Sequence, residues 1–253
     1  MRIARAAGGL LLDVGASIPA GPSRGSEGDA RAQELIAALL TEAFPHDAVL
    51  SEEARDSAAR LSADRVWIID PLDGTREFAS GGSDWAVHVA LWTRDAGRGG
   101  GAAGHLAAAA VAIPALDLVL DTSSVTPLPA LADGAPIRLA VSGSRPPAVA
   151  ETVCQGLNAE LVPMGSAGVK VASVVRGRTE AYIHAGGQYQ WDSAAPVAIA
   201  RAAGLHTSRI DGSPLVYNEP DSYLPDLVVC RPEIASRILS LIGSHSATSG
   251  EDS

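Results

Sequence analysis

Leu35, Ile36, Leu39 and Leu40 recur at helical spacing, which predicts an amphipathic helix over Ala30 to Ala43, and a similar pattern predicts one over Arg2 to Val14. The Gly, Pro and Ser residues between them predict a loop. Val66 to Ile69 is a short apolar run ending at Asp70, and Trp85 to Trp92 alternates large apolar residues with Ala and His, so both read as strands. The Gly-rich Arg98 to Gly104 predicts a long hairpin connection to the apolar stretch Ala107 to Leu120. It lacks the Gly-Lys-Ser or Gly-Lys-Thr ending of a standard phosphate-binding P-loop.

After Asp133-Gly134 short strands alternate with helices: Ile137 to Val141, a helix after Pro147, Glu160 to Val162, a helix near Ala167 to Val175, then Ala181 to His184. A helix over Asp192 to Ala203, a strand at Leu205 to Thr207, a turn at Asp211-Gly212-Ser213, a strand at Leu227 to Val229 and a last helix after Pro232 follow. This is an α/β chain with α+β layering. The expected division is an N-terminal lobe over 1–134, a C-terminal lobe over 135–243, and a disordered tail over 244–253.

Composition narrows the function. The chain has 253 residues, 47% of them hydrophobic, enough for a substantial core. A formal charge of -10 disfavours DNA or RNA polymers, which need clustered Lys and Arg. It does not disfavour a small phosphorylated partner, because bound divalent cations reverse the local field. Any anion site is therefore expected to be a metal site. Cys154 and Cys230 are the only cysteines and have no Cys-x-x-Cys spacing, so free thiols in a reducing cytoplasm are expected. Arginines before Gly9 to Leu12 superficially resemble a signal peptide, but Asp13 and Gly15 interrupt the apolar run. A first helix is the favoured reading, and no run reaches the roughly twenty residues of a membrane span.

The chemistry gathers at two expected strand ends. Ser51-Glu52-Glu53 follows Val49-Leu50, and Asp70 and Asp73 follow the Val66 to Ile69 run. Pro71 disfavours helix at Asp70 and Gly74 permits a tight turn, so both aspartates and the Leu72 carbonyl can face one place. Hard oxygen ligands at such a turn suit magnesium. Taken alone, Asp70 and Asp73 could equally start a turn and cap a helix. The full string Asp70-Pro71-Leu72-Asp73-Gly74-Thr75, with Glu52 and the distant Trp191-Asp192-Ser193-Ala194-Ala195-Pro196, favours the metal site.

With these motifs the sequence resembles the inositol monophosphatase-like superfamily of metal-dependent phosphatases, and within it the bacterial 3'(2'),5'-bisphosphate nucleotidase family. Val49 to Phe78 and Gly165 to Gly204 carry the resemblance most specifically. It implies the sugar-phosphatase fold, an αβαβα sandwich. It also implies two magnesium ions, one held by Glu52, Asp70 and the Leu72 carbonyl and the other by Asp70, Asp73 and Asp192, with a third, loosely held ion left open. Thr75, helped by Glu52 or Asp29, would orient and deprotonate water, and the Gly74 and Thr75 amides would hold phosphate oxygens. Asp29 stands in Ser26-Glu27-Gly28-Asp29, where the family usually has Thr-x-Ala-Asp, so its assignment rests on a departed pattern. A solvated capping aspartate is the alternative.

On the substrate side, Gly165-Ser166-Ala167-Gly168 with Lys170 resembles a segment that holds a second phosphate, and Ser142-Gly143-Ser144-Arg145 one that contacts nucleotide, with Arg145 as an anion clamp. Ordinary strand-to-helix loops are the alternative for both. Tyr182, His184 and Tyr189 flank Ala185-Gly186-Gly187 and could face a base or pack in the core, while Gln190 stands where many relatives have an acidic residue. The function implied is hydrolysis of 3'-phosphoadenosine 5'-phosphate to AMP and phosphate, a small phosphorylated substrate. Inositol-1-phosphate or fructose-1,6-bisphosphate hydrolysis is the alternative reaction, and a catalytically silent metal- or nucleotide-sensing protein the alternative class. The absence of a Gly-x-Ser-x-Gly elbow weighs against a serine hydrolase. Homodimers are a further expectation of the resemblance.

Overall fold

The computed structural model describes residues 1–95 and 104–249. Helices α1 (Arg2–Ser17) and α2 (Pro22–Ala43) lie together, burying Ala4, Ala7, Leu11 and Val14 from one and Ala32, Ile36 and Leu40 from the other. Helix α2 starts eight residues before Ala30, inside the stretch expected as a loop. Pro22 occupies its first turn, where a missing N–H costs nothing. Gly25 and Gly28 do not break it, because their bare faces admit close neighbours. A Cβ on Gly28 would lie 2.8 Å from Phe78 Cε1, and one on Gly25 would lie 3.0 Å from Thr75 Cγ2.

The first sheet runs in chain order, β1 (Ala48–Ser51), β2 (Arg65–Asp73), β3 (Ala86–Arg94), β4 (Gly104–Ile113) and β5 (Leu118–Asp121). Only β1 and β2 are parallel, so Glu52 and Asp70 leave the same edge. Strands β3 and β4 pair antiparallel from Arg94 opposite Gly104, while their connection, residues 96–103, lies outside the described residues. The second sheet contains β6 (Arg138–Ser142), β7 (Glu160–Met164), β8 (Ala181–Ala185), β9 (His206–Ser208) and β10 (Asp226–Cys230), in the order β7-β6-β8-β10-β9. Strand β6 is parallel to both β7 and β8, the chain passing from β6 to β7 on one side and then crossing back to β8 on the other. A crevice is expected at the carboxyl ends of such strands.

Between the sheets lie α5 (Ala167–Val175) and α6 (Gln190–Ala202), and outside the second sheet lie α4 (Ala148–Leu157) and α7 (Pro232–Ser249). Three buried apolar layers follow: α1 and α2 on the first sheet, α5 and α6 between the sheets, and α4 and α7 on the second. This is the αβαβα sandwich. The middle layer joins both halves of the chain, since Ala195, Val197 and Ile199 of α6 share one core with Val66, Ile68 and Ala90 of the first sheet. Helix α7 continues to Ser249, so 244–249 are helical rather than a disordered tail. Ser244 Oγ donates to Ser240 O, and the His245 ring bonds Thr152 of α4 at 2.9 Å. Among the described residues no helix is long and apolar enough to cross a membrane.

Candidate active site

Residues three apart on a regular strand point to opposite faces, so Asp70 and Asp73 could not share a site on an unbroken β2. Asp70 pairs with His88 and Asp73 with Ala86, three residues on one strand against two on the other. This one-residue bulge at Pro71-Leu72 restores a common face. The third carboxylate comes from α6. Asp192 is three residues inside its helix and accepts the Tyr189 amide at 2.7 Å, a cap that fixes its rotation. Asp70, Asp73 and Asp192 thus offer oxygens all within 4.8 Å of one another.

Three acids in that space cannot all ionise without a counter-charge. Burial, then Asp73, Glu52 and Asp192, push the Asp70 carboxyl well above its ordinary range. Burial and Asp73 raise Asp192 to about 7. Asp73 goes the other way. Burial acts to raise it but is outweighed by His88, Ser166 Oγ and the Gly168 amide, which donates to Oδ2 at 2.8 Å. An all-oxygen set with this much unrelieved repulsion fits a hard divalent cation. Glu52, at the rim, is raised by burial, Glu53 and Asp73, with Asp70 and His88 acting to lower it.

Thr75 opens α3 (Thr75–Ser80), and Gly74 before it holds the left-handed conformation with φ 91°. No other residue fits there, since a Cβ would lie 2.7 Å from Asp84 O. The Thr75 hydroxyl is 3.0 Å from Leu72 O and 3.4 Å from Asp29 Oδ1. Asp29 is buried on the Gly25/Gly28 face of α2, and burial with Glu53 and Glu52 raises it to about 7. The solvated-cap alternative for Asp29 therefore fails.

Glu52, Asp73, Gly74, Thr75 and Asp192 open on a cleft of about 320 Å³ that Arg145 also lines. A larger groove of about 660 Å³ lies between α1, α2 and β4, but its lining is mainly apolar and brings no carboxylate cluster to it.

The inositol monophosphatase family model matches residues 26–246. The chain belongs to the inositol monophosphatase family. It is 49% identical over 245 residues to a 3'-phosphoadenosine 5'-phosphate phosphatase of Mycobacterium leprae, covering 95% of this chain and 90% of that one. A protein of the same name from Mycobacterium tuberculosis is 51% identical over 242 residues, covering 93% and 89%. The solved inositol monophosphatase II of Staphylococcus aureus superposes with a TM-score of 0.78 at 20% identity, covering 96% of this chain and 94% of that one, a likeness of fold.

Within this family member, the expected substrate loops do reach the cleft, yet several of their polar groups are engaged internally. Ser166 Oγ donates to Asp73 and caps α5 through the Val169 amide at 3.1 Å. The Gly165 amide donates to Asp84 Oδ2 at 3.0 Å, and Lys170 Nζ to Gly165 O at 2.6 Å. Burial lowers Lys170, against Asp73, Glu77, Asp84 and Asp192. Ser142 Oγ accepts the Arg145 amide at 3.2 Å and lies 3.4 Å from Ser144 Oγ, forming a turn that presents Arg145.

Tyr182 is buried, with Lys170 Nζ 5.2 Å from its ring centre, and both Tyr182 and His184 line the cleft. Tyr189 stacks on Trp191 at 4.9 Å outside the cleft lining. Gln190 faces inward. Its Oε1 accepts the Asn218 amide at 2.6 Å and its Nε2 donates to Asp221 O at 2.8 Å, so it anchors a loop rather than contacting substrate. Two residues of the site, His88 and Asp84, went unassigned in the sequence reading. The polar His88 in the otherwise apolar strand Trp85 to Trp92 was the available signal, whereas nothing local marks Asp84.

Proposed function

We propose that this chain is a Mg2+-dependent phosphomonoesterase that removes the 3'-phosphate of 3'-phosphoadenosine 5'-phosphate, giving AMP and phosphate. The observation that carries this reading is the 49% identity, across 95% of the chain, to a relative named for that reaction. The Asp70, Asp73 and Asp192 cluster beside Thr75 and Asp29 supports it. Bound Mg2+ would neutralise the developing phosphoryl charge and lower the pKa of water. Asp70, Asp73 and Asp192 would hold one ion, and Glu52, Asp70 and the Leu72 carbonyl a second.

Thr75 Oγ1 orients the attacking water, and Asp29 or Glu52 receives its proton. An Asp29 carboxyl near 7 is matched to that task at neutral pH. Gly74 and Thr75 line the position of the transferred phosphate. Arg145, presented by the Ser142 turn, and Lys170 supply positive charge to the other end of a bisphosphate. Gly165 and Ser166 act by holding Lys170 and Asp73 in place.

The test is phosphate release from 3'-phosphoadenosine 5'-phosphate, inositol-1-phosphate and fructose-1,6-bisphosphate, with and without Mg2+. Metal-dependent release strongest from the first is expected. Preference for inositol-1-phosphate overturns the substrate, and no release from any of them favours a sensor.

A further inference from the structure

His88 of β3 is completely buried, yet both ring nitrogens face acceptors. Nε2 lies 3.2 Å from Asp73 Oδ2, off the line of a well-formed hydrogen bond. Nδ1 lies 3.3 Å from the carbonyl of Trp191, the residue before Asp192. The start of α5 closes over the same ring, since a Cβ on Gly168 would sit 2.2 Å from Nε2. The imidazole therefore stands where β2, α5 and α6 converge. An apolar side chain would fill this space without burying two polar nitrogens, and groups so buried in native proteins generally have a partner or a task.

We infer that His88 is a positioning residue of the metal site, tying Asp73 on the first sheet to the start of α6 so that the Asp73 and Asp192 carboxylates keep their spacing. Nε2 faces Asp73 Oδ2 and Nδ1 faces Trp191 O, so one rigid ring spans both elements. The other Asp73 oxygen is left to a cation. Asp73 and Asp192 come from opposite halves of the chain; Ser166 and Gly168 tie Asp73 to the start of α5, and His88 is the side chain that reaches from Asp73 to the start of α6. The inference rests on the metal-site reading above and adds a residue that links Asp73 directly to the helix carrying Asp192.

The test is Mn2+ binding to the full chain by calorimetry, for wild type, Asp73→Asn, His88→Met and His88→Gln. Met and Gln are similar in length, but only the Gln amide can donate toward Asp73. His88→Met is expected to weaken Mn2+ binding by about tenfold or more, the usual effect of removing a group that orients a metal ligand, and His88→Gln by less than about threefold. A purely structural histidine would lower the melting temperature in both variants and leave Mn2+ affinity alone. Equal affinity in the two variants overturns the inference. Should His88→Met not fold, His88→Asn replaces it, since its shorter amide reaches toward Trp191 but not Asp73, and it too should bind weakly. Failure of wild type to bind Mn2+ overturns the metal-site reading with it; binding lost in Asp73→Asn but intact in His88→Met overturns this inference alone.

Discussion

Asp70→Asn separates what the acidic cluster does for the fold from what it does for the metal. Asparagine keeps the shape, and its Oδ1 can still accept the Leu72 amide that Asp70 accepts at 2.9 Å. What disappears is a negative charge among oxygens no more than 4.8 Å apart. At an effective dielectric of about 20, two unit charges at that distance repel by about 3.5 kcal/mol. In the metal-free protein burial and this repulsion raise the Asp70 carboxyl well above its ordinary range, which favours its neutral form and relieves part of the repulsion. The substitution should therefore leave the metal-free protein as stable as wild type, or up to about 2 kcal/mol more stable.

With metal the order reverses. A cation at a hundred times its dissociation constant stabilises wild type by about 2.7 kcal/mol, or about 5 to 10 °C in melting temperature for a chain of this size. Asp70→Asn should lose that shift and at least about a hundredfold of its phosphate-release rate. Thermal melts with and without Mg2+, beside a phosphate assay, read both quantities. A metal-free variant that melts well below wild type, or one that keeps the Mg2+ shift, refutes the reasoning.

Protons and metal should compete. Asp192 and Asp29 are raised from 3.8 to about 7, so calorimetric Mg2+ affinity should rise between pH 6 and 8. With the folded pKa above the unfolded one, the metal-free melting temperature should fall as pH climbs from about 4 toward 7, and Mg2+ should offset that fall. Gly28→Ala gains about 1 kcal/mol of helix propensity, but its Cβ would lie 2.8 Å from buried Phe78 and 3.1 Å from Leu72 Cδ2, overpacking that costs about 1 to 3 kcal/mol. The clash wins. Denaturant midpoint should drop modestly and turnover more steeply, because α2 can no longer hold Asp29 against Thr75.

Much of the site was legible because its residues fall at strand ends and a helix start, where local pattern is informative. The short apolar run before Asp70 marked β2, and Trp191 to Pro196 marked the opening of α6. The start of α2 was misread because glycine signals a loop locally, whereas Gly25 and Gly28 are here for close packing on Thr75 and Phe78. Gln190 stood out in the sequence only as a departure from an acidic residue, because its partners Asn218 and Asp221 are about thirty residues away in sequence and only folding brings them to it.

The sequence by itself determined the carboxylates of the candidate site, their order and the α/β alternation, since each depends on residue chemistry and on neighbours within a turn or a strand. The tertiary structure decided the rest. The bulge that turns Asp70 and Asp73 to one face is a matter of register against β3, and the meeting of Asp73 with Asp192 depends on α6 packing across both halves of the chain. Charge repulsion among those carboxylates, and the place of His88 between them, arise only from distances that no local pattern encodes.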